Sequence, residues 1–363
     1  MINKWQSFFL IVLTLPIMGH VVLLPLAIDL AGRDSWISAL ISFPVGFTFL
    51  FVIYRIRLKF PNAPVHIAFK KTFGRFFSLF TISVLIFYFI FLAAVSLAAV
   101  VDMIHITFLP ATPAWVIVIS FLLLAMYGAT KSVKGIALIA GVLFFIVMLT
   151  GHSITFINFP ERDLMDLLPM LEHGWKPVGL GTLLLSNTWI ELLFLLTIPF
   201  KDIKEKRLLL IWTLGLIANL FMMLSTISGV IMTFGLGQAE SFVYPALEIV
   251  RIIDINFIDR LDVYALILMT FGSYIRCSLF LKISYTQFKH IIVINSNKWL
   301  NITLFITLSI FIGILAYFMG ETSLRFESTL TFYAYTFVLY PLPFFLLLVA
   351  WIRERKQRSH SLR

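Results

Sequence analysis

Charge is scarce in this sequence. Asp, Glu, Lys and Arg together make up 13% of its 363 residues, against about a quarter in ordinary soluble domains. With 60% hydrophobic residues, so few charges cannot cover the surface of a soluble chain of this length. A soluble enzyme, a nucleic-acid-binding domain and a disordered chain are thereby excluded. Cysteine occurs once, as Cys277, which excludes an internal disulfide and a multi-cysteine metal centre. The seven histidines are scattered and show no metal-ligand spacing. There is no P-loop, GxSxG, HExxH or glycine-rich dinucleotide turn, so neither nucleotide-driven pumping nor a cofactor is expected.

What the chain does have is long apolar runs from end to end. A helix needs about 20 apolar residues to cross the hydrocarbon. That length selects ten segments: 7–28, 36–54, 77–101, 112–129, 135–157, 179–199, 207–234, 260–282, 299–319 and 329–352. The runs lack the apolar/polar alternation of barrel strands. The first reads as a retained span, because Asp29 and Arg33 follow it without a small-residue cleavage site. The expectation is an all-α integral membrane protein, a single polytopic domain over 1–363.

The net charge of +10 lies in short loops. Lys4, the cluster from Arg55 to Arg75, Lys131 and Lys134, the cluster from Lys201 to Arg207, Lys282, Lys289, Lys298 and the tail 353–363 all fall on one side of the predicted spans. The other side holds only Arg33, Arg162, Lys176, Arg251, Arg260 and Arg325, with most of the acids. The positive-inside rule then places both termini in the cytoplasm. The basic inner loop 55–76 would rest on anionic lipid headgroups. The outer loop at 240–255 spaces Phe242, Ala246, Ile249, Val250 and Ile253 on one helical face, which predicts a short helix lying over the outer vestibule.

Two spans carry matching interruptions. Leu15-Pro16-Ile17-Met18-Gly19-His20 breaks the first, and Ser186-Asn187-Thr188-Trp189-Ile190-Glu191 puts polar groups in the middle of the sixth. Five spans start at each, with opposite orientation. This reads as an inverted repeat, about 7–157 and 179–352, whose broken helices mark a binding site. Unwinding is expected near 16–20 and 186–190. Amides freed near Gly19 and His20 would receive a carboxylate, and carbonyls freed near Leu185 and Ser186 would receive an ammonium. An ordinary proline kink is the competing explanation.

Pro16, Met18, Gly19, His20, Ser186, Asn187 and Thr188 are therefore candidate ligand residues, with Tyr88, Ser273 and Tyr274 beside them on spans three and eight. Glu191, an intramembrane carboxylate, would hold a proton, pair with a base or bind an amine. Arg276 would act as a fixed cation where related carriers bind sodium, or else snorkel to the surface. No metal ligand and no catalytic residue is expected.

Three segments resemble a known family. Ala31-Gly32-Arg33-Asp34-Ser35-Trp36-Ile37-Ser38, Tyr244-Pro245 with Arg251, and Phe257-Ile258-Asp259-Arg260-Leu261-Asp262 are similar to those of the B subunits of spore nutrient germinant receptors, a spore germination permease family within the amino acid–polyamine–organocation transporter superfamily. Asp259 stands where the family usually has Glu, and Arg276 where it often has Lys. The resemblance implies ten helices in the five-plus-five, LeuT-like fold. It also implies A-type and C-type partner subunits, residence in the spore inner membrane, and a small nutrient ligand such as an amino acid. A proton-coupled amino acid transporter is the alternative.

Overall fold

The computed structural model describes residues 1–61, 65–201, 203–204, 206–252, 262–292 and 298–361. Among them every extended element is helical, apart from an isolated bridge between Ile2 and Phe200. In chain order these are α1 (Lys4–Pro16), a π turn (Ile17–Val22), α2 (Leu23–Ala31), α3 (Ser35–Lys59), α4 (Val65–Phe73), α5 (Arg75–Thr107), α6 (Ala114–Thr130) and α7 (Val133–Ile157). There follow α8 (Trp175–Ile190), a 3-10 turn (Glu191–Leu193), α9 (Phe194–Thr197), α10 (Leu208–Ala239), α11 (Pro245–Arg251), α12 (Asp262–Ile292), α13 (Lys298–Phe318), α14 (Glu321–Leu339) and α15 (Pro341–Ser361). Eight helical runs are long and apolar enough to cross a membrane, one of them the 56-residue stretch Lys4–Lys59. The 17-residue α6 is a shorter apolar helix.

In lipid, close packing and satisfied polar groups hold helices together, not exclusion from water. The packing of α5 on α12 shows how. Ala93, Ala94, Ala98 and Ala99 make a shallow face on α5. α12 then comes near enough for the Cys277 thiol to donate to the Ala93 carbonyl at 3.4 Å. α3 approaches α8 in the same manner. The Trp189 indole occupies the space over Gly46, where a Cβ would lie 2.5 Å from the ring, and its Nε1 donates to Ser42 Oγ at 3.1 Å.

Two groups of contacts mark two ends of the bundle. At one, Ile2 N–H donates to the Pro199 carbonyl, and Lys201 N–H to the Ile2 carbonyl. The buried Arg57 donates to the carbonyls of Leu195 and Ile198 and so closes the end of α9. α4 lies against the end of α12, His66 and His290 having ring centroids 4.5 Å apart. At the other end, Arg33 donates to the Leu168 carbonyl at 2.8 Å and faces Glu172 at 3.7 Å, while the buried Asp34 carboxylate accepts from Leu171 N–H. The Gly32-Arg33-Asp34 motif thus clamps the loop that leads into α8.

Several boundaries differ from expectation. α12 runs ten residues beyond the predicted end of its span at 282, because apolarity marks the hydrocarbon and not the helix. The predicted span 329–352 is divided at Pro341, and the second piece continues through the basic tail to Ser361. Of the expected outer helix, α11 is present; Ile253, and the resemblance positions Phe257 to Leu261, lie outside the described residues.

Candidate ligand site

The first interruption is a change of pitch. Pro16 lacks an N–H, and its ring crowds the carbonyl four residues back. The chain answers by widening into a π turn, in which Leu23 N–H donates to the Met18 carbonyl five residues earlier. The bounding backbone stays right-handed helical: Pro16 at φ −59, Leu23 at φ −88. The unwinding expected at 16–20 is therefore replaced by a bulge, which keeps backbone groups paired in a setting without water. The His20 Nδ1 donates to the Pro16 carbonyl at 2.8 Å.

The second interruption also differs from expectation. Residues 186–190 are α-helical, and the pitch tightens directly after them, at Glu191–Leu193. Ser186 Oγ donates to the Thr182 carbonyl, and Asn187 Nδ2 to that of Leu184, so these side chains feed back onto their own helix. The zwitterion cradle of freed amides and carbonyls is not what the backbone provides.

Side chains provide something else. Arg276 Nη2 of α12 lies 2.5 Å from Glu191 Oε1, and both side chains are fully buried. The two charged residues read separately in the sequence form one ion pair, with the guanidinium 5.5 Å from the Phe280 ring centroid. Tyr88 is buried, interacts electrostatically with both charges, and packs edge-on to Tyr335. Gly19 faces the same region, since a Cβ there would lie 3.8 Å from Thr188 Oγ1. Met18 and Ser273 are buried. Among the described residues, Asn187 Oδ1, Thr188 Oγ1, Glu191 Oε2 and Arg276 Nε and Nη1 have no hydrogen-bond partner. Tyr274 does not join them. Its hydroxyl and Ser278 sit over Gly128 of α6, because residues 274 and 278 share a face of α12 that turns away from the bend.

A cavity of about 350 Å³ lies elsewhere. Pro16 and His20 line it from the bend, Val147 and His152 from α7, Phe221 and Ser225 from α10, and Leu268 and Met269 from α12. α11 roofs it with Ala246, Ile249 and Val250, three of the positions whose spacing predicted a helix facing the vestibule. Arg162 reaches it from the loop after α7. No residue of α8 or α9 lines it among the described residues, so the candidate residues divide between two regions. The Tyr244-Pro245 motif places the roof: Pro245 opens α11, and the Tyr244 hydroxyl donates to Asp102 of α5 at 2.6 Å. Sequence reasoning did not single out Arg162, although an arginine on the side poor in basic residues was a signal.

Among the described residues the fold is a helical bundle with a π turn after α1 and a 3-10 turn after α8. It matches the substrate-bound outward-open state of a Na+-coupled sialic acid symporter with a TM-score of 0.65 over 94% of this chain and 79% of that one, at 11% identity, a likeness of fold alone. The chain belongs to the spore germination protein family, the spore permeases, whose pattern matches residues 1–317. It is 27% identical over 280 residues to spore germination protein XB of Bacillus anthracis, covering 77% of this chain and 78% of that protein. It is 26% identical over 265 residues to spore germination protein KB of Bacillus subtilis (strain 168), covering 70% and 69%. It is 24% identical over 270 residues to GerQB of Bacillus cereus, covering 72% of each. It is thus a multi-pass, permease-like membrane protein of a germination family.

Proposed function

We propose that this chain is the nutrient-sensing subunit of a spore germination receptor, with ten crossings in two inverted halves, about 7–157 and 179–352. The 56-residue stretch Lys4–Lys59 would extend about 80 Å as one helix, nearly three times the hydrocarbon thickness. It therefore crosses twice, with a turn at Gly32, whose φ is 54°. α6, at 17 residues, just reaches the length of a crossing. The end of the bundle bearing α4, Arg57 and the chain start carries the basic loops, which makes it the cytoplasmic end in the spore inner membrane.

The observation that carries the sensing reading is the buried Glu191–Arg276 pair. It joins the tightened turn after α8 to α12, and among the described residues several polar atoms around it have no partner and can meet a ligand. Arg276 supplies a fixed positive charge against Glu191, so this carboxylate is not free for a coupling sodium ion. An amino acid that bonds to Thr188, Asn187 or the pair in one arrangement of the helices and not in the other shifts their balance. A-type and C-type subunits would receive that shift.

Deletion of the gene in the native spore-former, scored against a nutrient panel, tests this reading. The expected result is loss of response to particular nutrients with other responses intact. Accumulation of labelled amino acid in vesicles holding this chain alone would instead establish a working carrier.

A further inference from the structure

The roofed cavity combines apolar walls with a cation that meets no carboxylate among the described residues. We propose that it is a second ligand site, separate from the Glu191–Arg276 region, and that it takes a small carboxylate with an apolar body. Its physiological meaning rests on the receptor reading; the binding itself does not.

Arg162 is placed for this role by three contacts. Asp163 N–H donates to the Met232 carbonyl at 2.8 Å, which ties the loop to α10. Arg162 Nε donates to Oδ1 of the fully buried Asn158 at 3.3 Å, an oxygen that also accepts from Thr233. The guanidinium lies over Gly229, where a Cβ would come within 3.0 Å of Nη2. No carboxylate lies within ion-pair distance of Arg162 among the described residues. Burial lowers its proton affinity, yet an arginine keeps its charge at any physiological pH. With Nε engaged, Nη1 and Nη2 remain for the two oxygens of a carboxylate.

The remaining lining narrows the class. No Asp or Glu lines the cavity among the described residues, so an ammonium has no counter-charge there. The walls are largely Val147, Phe221, Ile249, Leu268 and Met269. A sugar would bury hydroxyls against them without partners, at a cost for each. The few polar groups besides Arg162 are His20, His152, Thr226, whose hydroxyl donates to the Met222 carbonyl, and the Thr155–Ser225 hydroxyl pair, which suit a ligand with one polar end. The volume is at the small end of ligand sites. Because Ala246, Ile249 and Val250 roof the cavity and Tyr244 ties the roof to α5, an occupant presses on an element joined to the bundle.

The test uses the purified full-length chain in detergent and three probes of one skeleton: leucine, 4-methylpentanoate, which lacks the amine, and leucinamide, which lacks the carboxylate. Leucine and 4-methylpentanoate should both raise the thermal midpoint, and leucinamide should not. Arg162→Gln should weaken binding of 4-methylpentanoate about tenfold or more, and Arg162→Lys less. Ala246→Trp, which fills the cavity from its roof, should abolish it. Thiol labelling of Ala246→Cys should be slowed by 4-methylpentanoate; the native Cys277 is buried. Equal stabilisation by leucinamide, no stabilisation by 4-methylpentanoate, binding unchanged in Arg162→Gln, or labelling indifferent to the probe would each overturn the site. Intact binding together with an unchanged nutrient response in the deletion spores would sink the receptor reading and leave the site standing.

Discussion

Glu191 and Arg276 bury two charges that neutralise each other, whereas Arg162 brings one charge to the wall of a cavity where no carboxylate meets it among the described residues. The bend at Pro16–Val22 serves both regions. Gly19 faces Thr188 on one side, and Pro16 and His20 line the cavity on the other. A charge already matched inside the protein can report a change in helix arrangement. An unmatched charge beside an apolar space is suited to recognising something from outside. In the proposed reading, the two functions that a carrier joins in one pocket are divided across one π turn.

The sharpest way to break that comparison is to remove half of the matched pair. Glu191→Gln leaves the Arg276 charge buried alone and should cost about 3–5 kcal/mol of stability. Arg276→Met should cost a similar amount. The double variant should regain most of the loss, as read from thermal unfolding in a double-mutant cycle. Simple additivity of the two singles would show that the charges do not depend on each other. A dose response measured with Glu191→Gln alone would confuse ligand binding with this loss.

Two glycines compare how rigid the regions are. Gly46→Ala drives a Cβ into the Trp189 ring, which two packed helices hold in place, and should destabilise by about 1–3 kcal/mol. Gly229→Ala meets only the far end of a long arginine, which can give way, so its cost should stay below about 1 kcal/mol. Equal unfolding shifts would erase the contrast between a dry core and an adaptable cavity.

Tyr244→Phe removes the hydrogen bond to Asp102 and should loosen the roof by about 1 kcal/mol or slightly more. Faster thiol labelling of Ala246→Cys in that background, with little change in overall melting, is the expected reading. The smallest effect lies at the opposite end of the bundle. Burial, with His290 and Lys70 nearby, holds the His66 imidazole below its ordinary pKa of 6.5. The unfolded chain therefore takes up this proton first, so the contribution of His66 is present above that value and is lost as pH falls below it. Protection of the α4 amides, corrected for the intrinsic pH dependence of exchange, should fall between pH 7 and 5, and His66→Gln should flatten that dependence.

Much of this architecture was legible in the sequence. Long uncharged runs located the apolar helices, and the spacing of Ala246, Ile249 and Val250 anticipated α11. Both interruptions were legible as places but not as geometry. Proline announces a missing donor, but whether the helix unwinds or widens depends on how neighbouring helices satisfy what remains. The Glu191–Arg276 pairing was hidden because 85 residues separate the partners; each read alone as a costly intramembrane charge. The place of Tyr274 over α6 was hidden for a related reason: only packing decides which face of α12 meets α6. The Arg162 cavity is built from six elements and a loop, and no local pattern encodes such a volume.

The Arg57 contacts carry a consequence for how the protein is made. Arg57 closes the end of α9 by bonding to carbonyls 138 and 141 residues further along the chain. Ribosomes deliver α3 to the bilayer well before α8 and α9 emerge, so the cation is already waiting when those carbonyls arrive. α3 thus supplies in advance the donors without which the end of α9 would enter lipid unsatisfied.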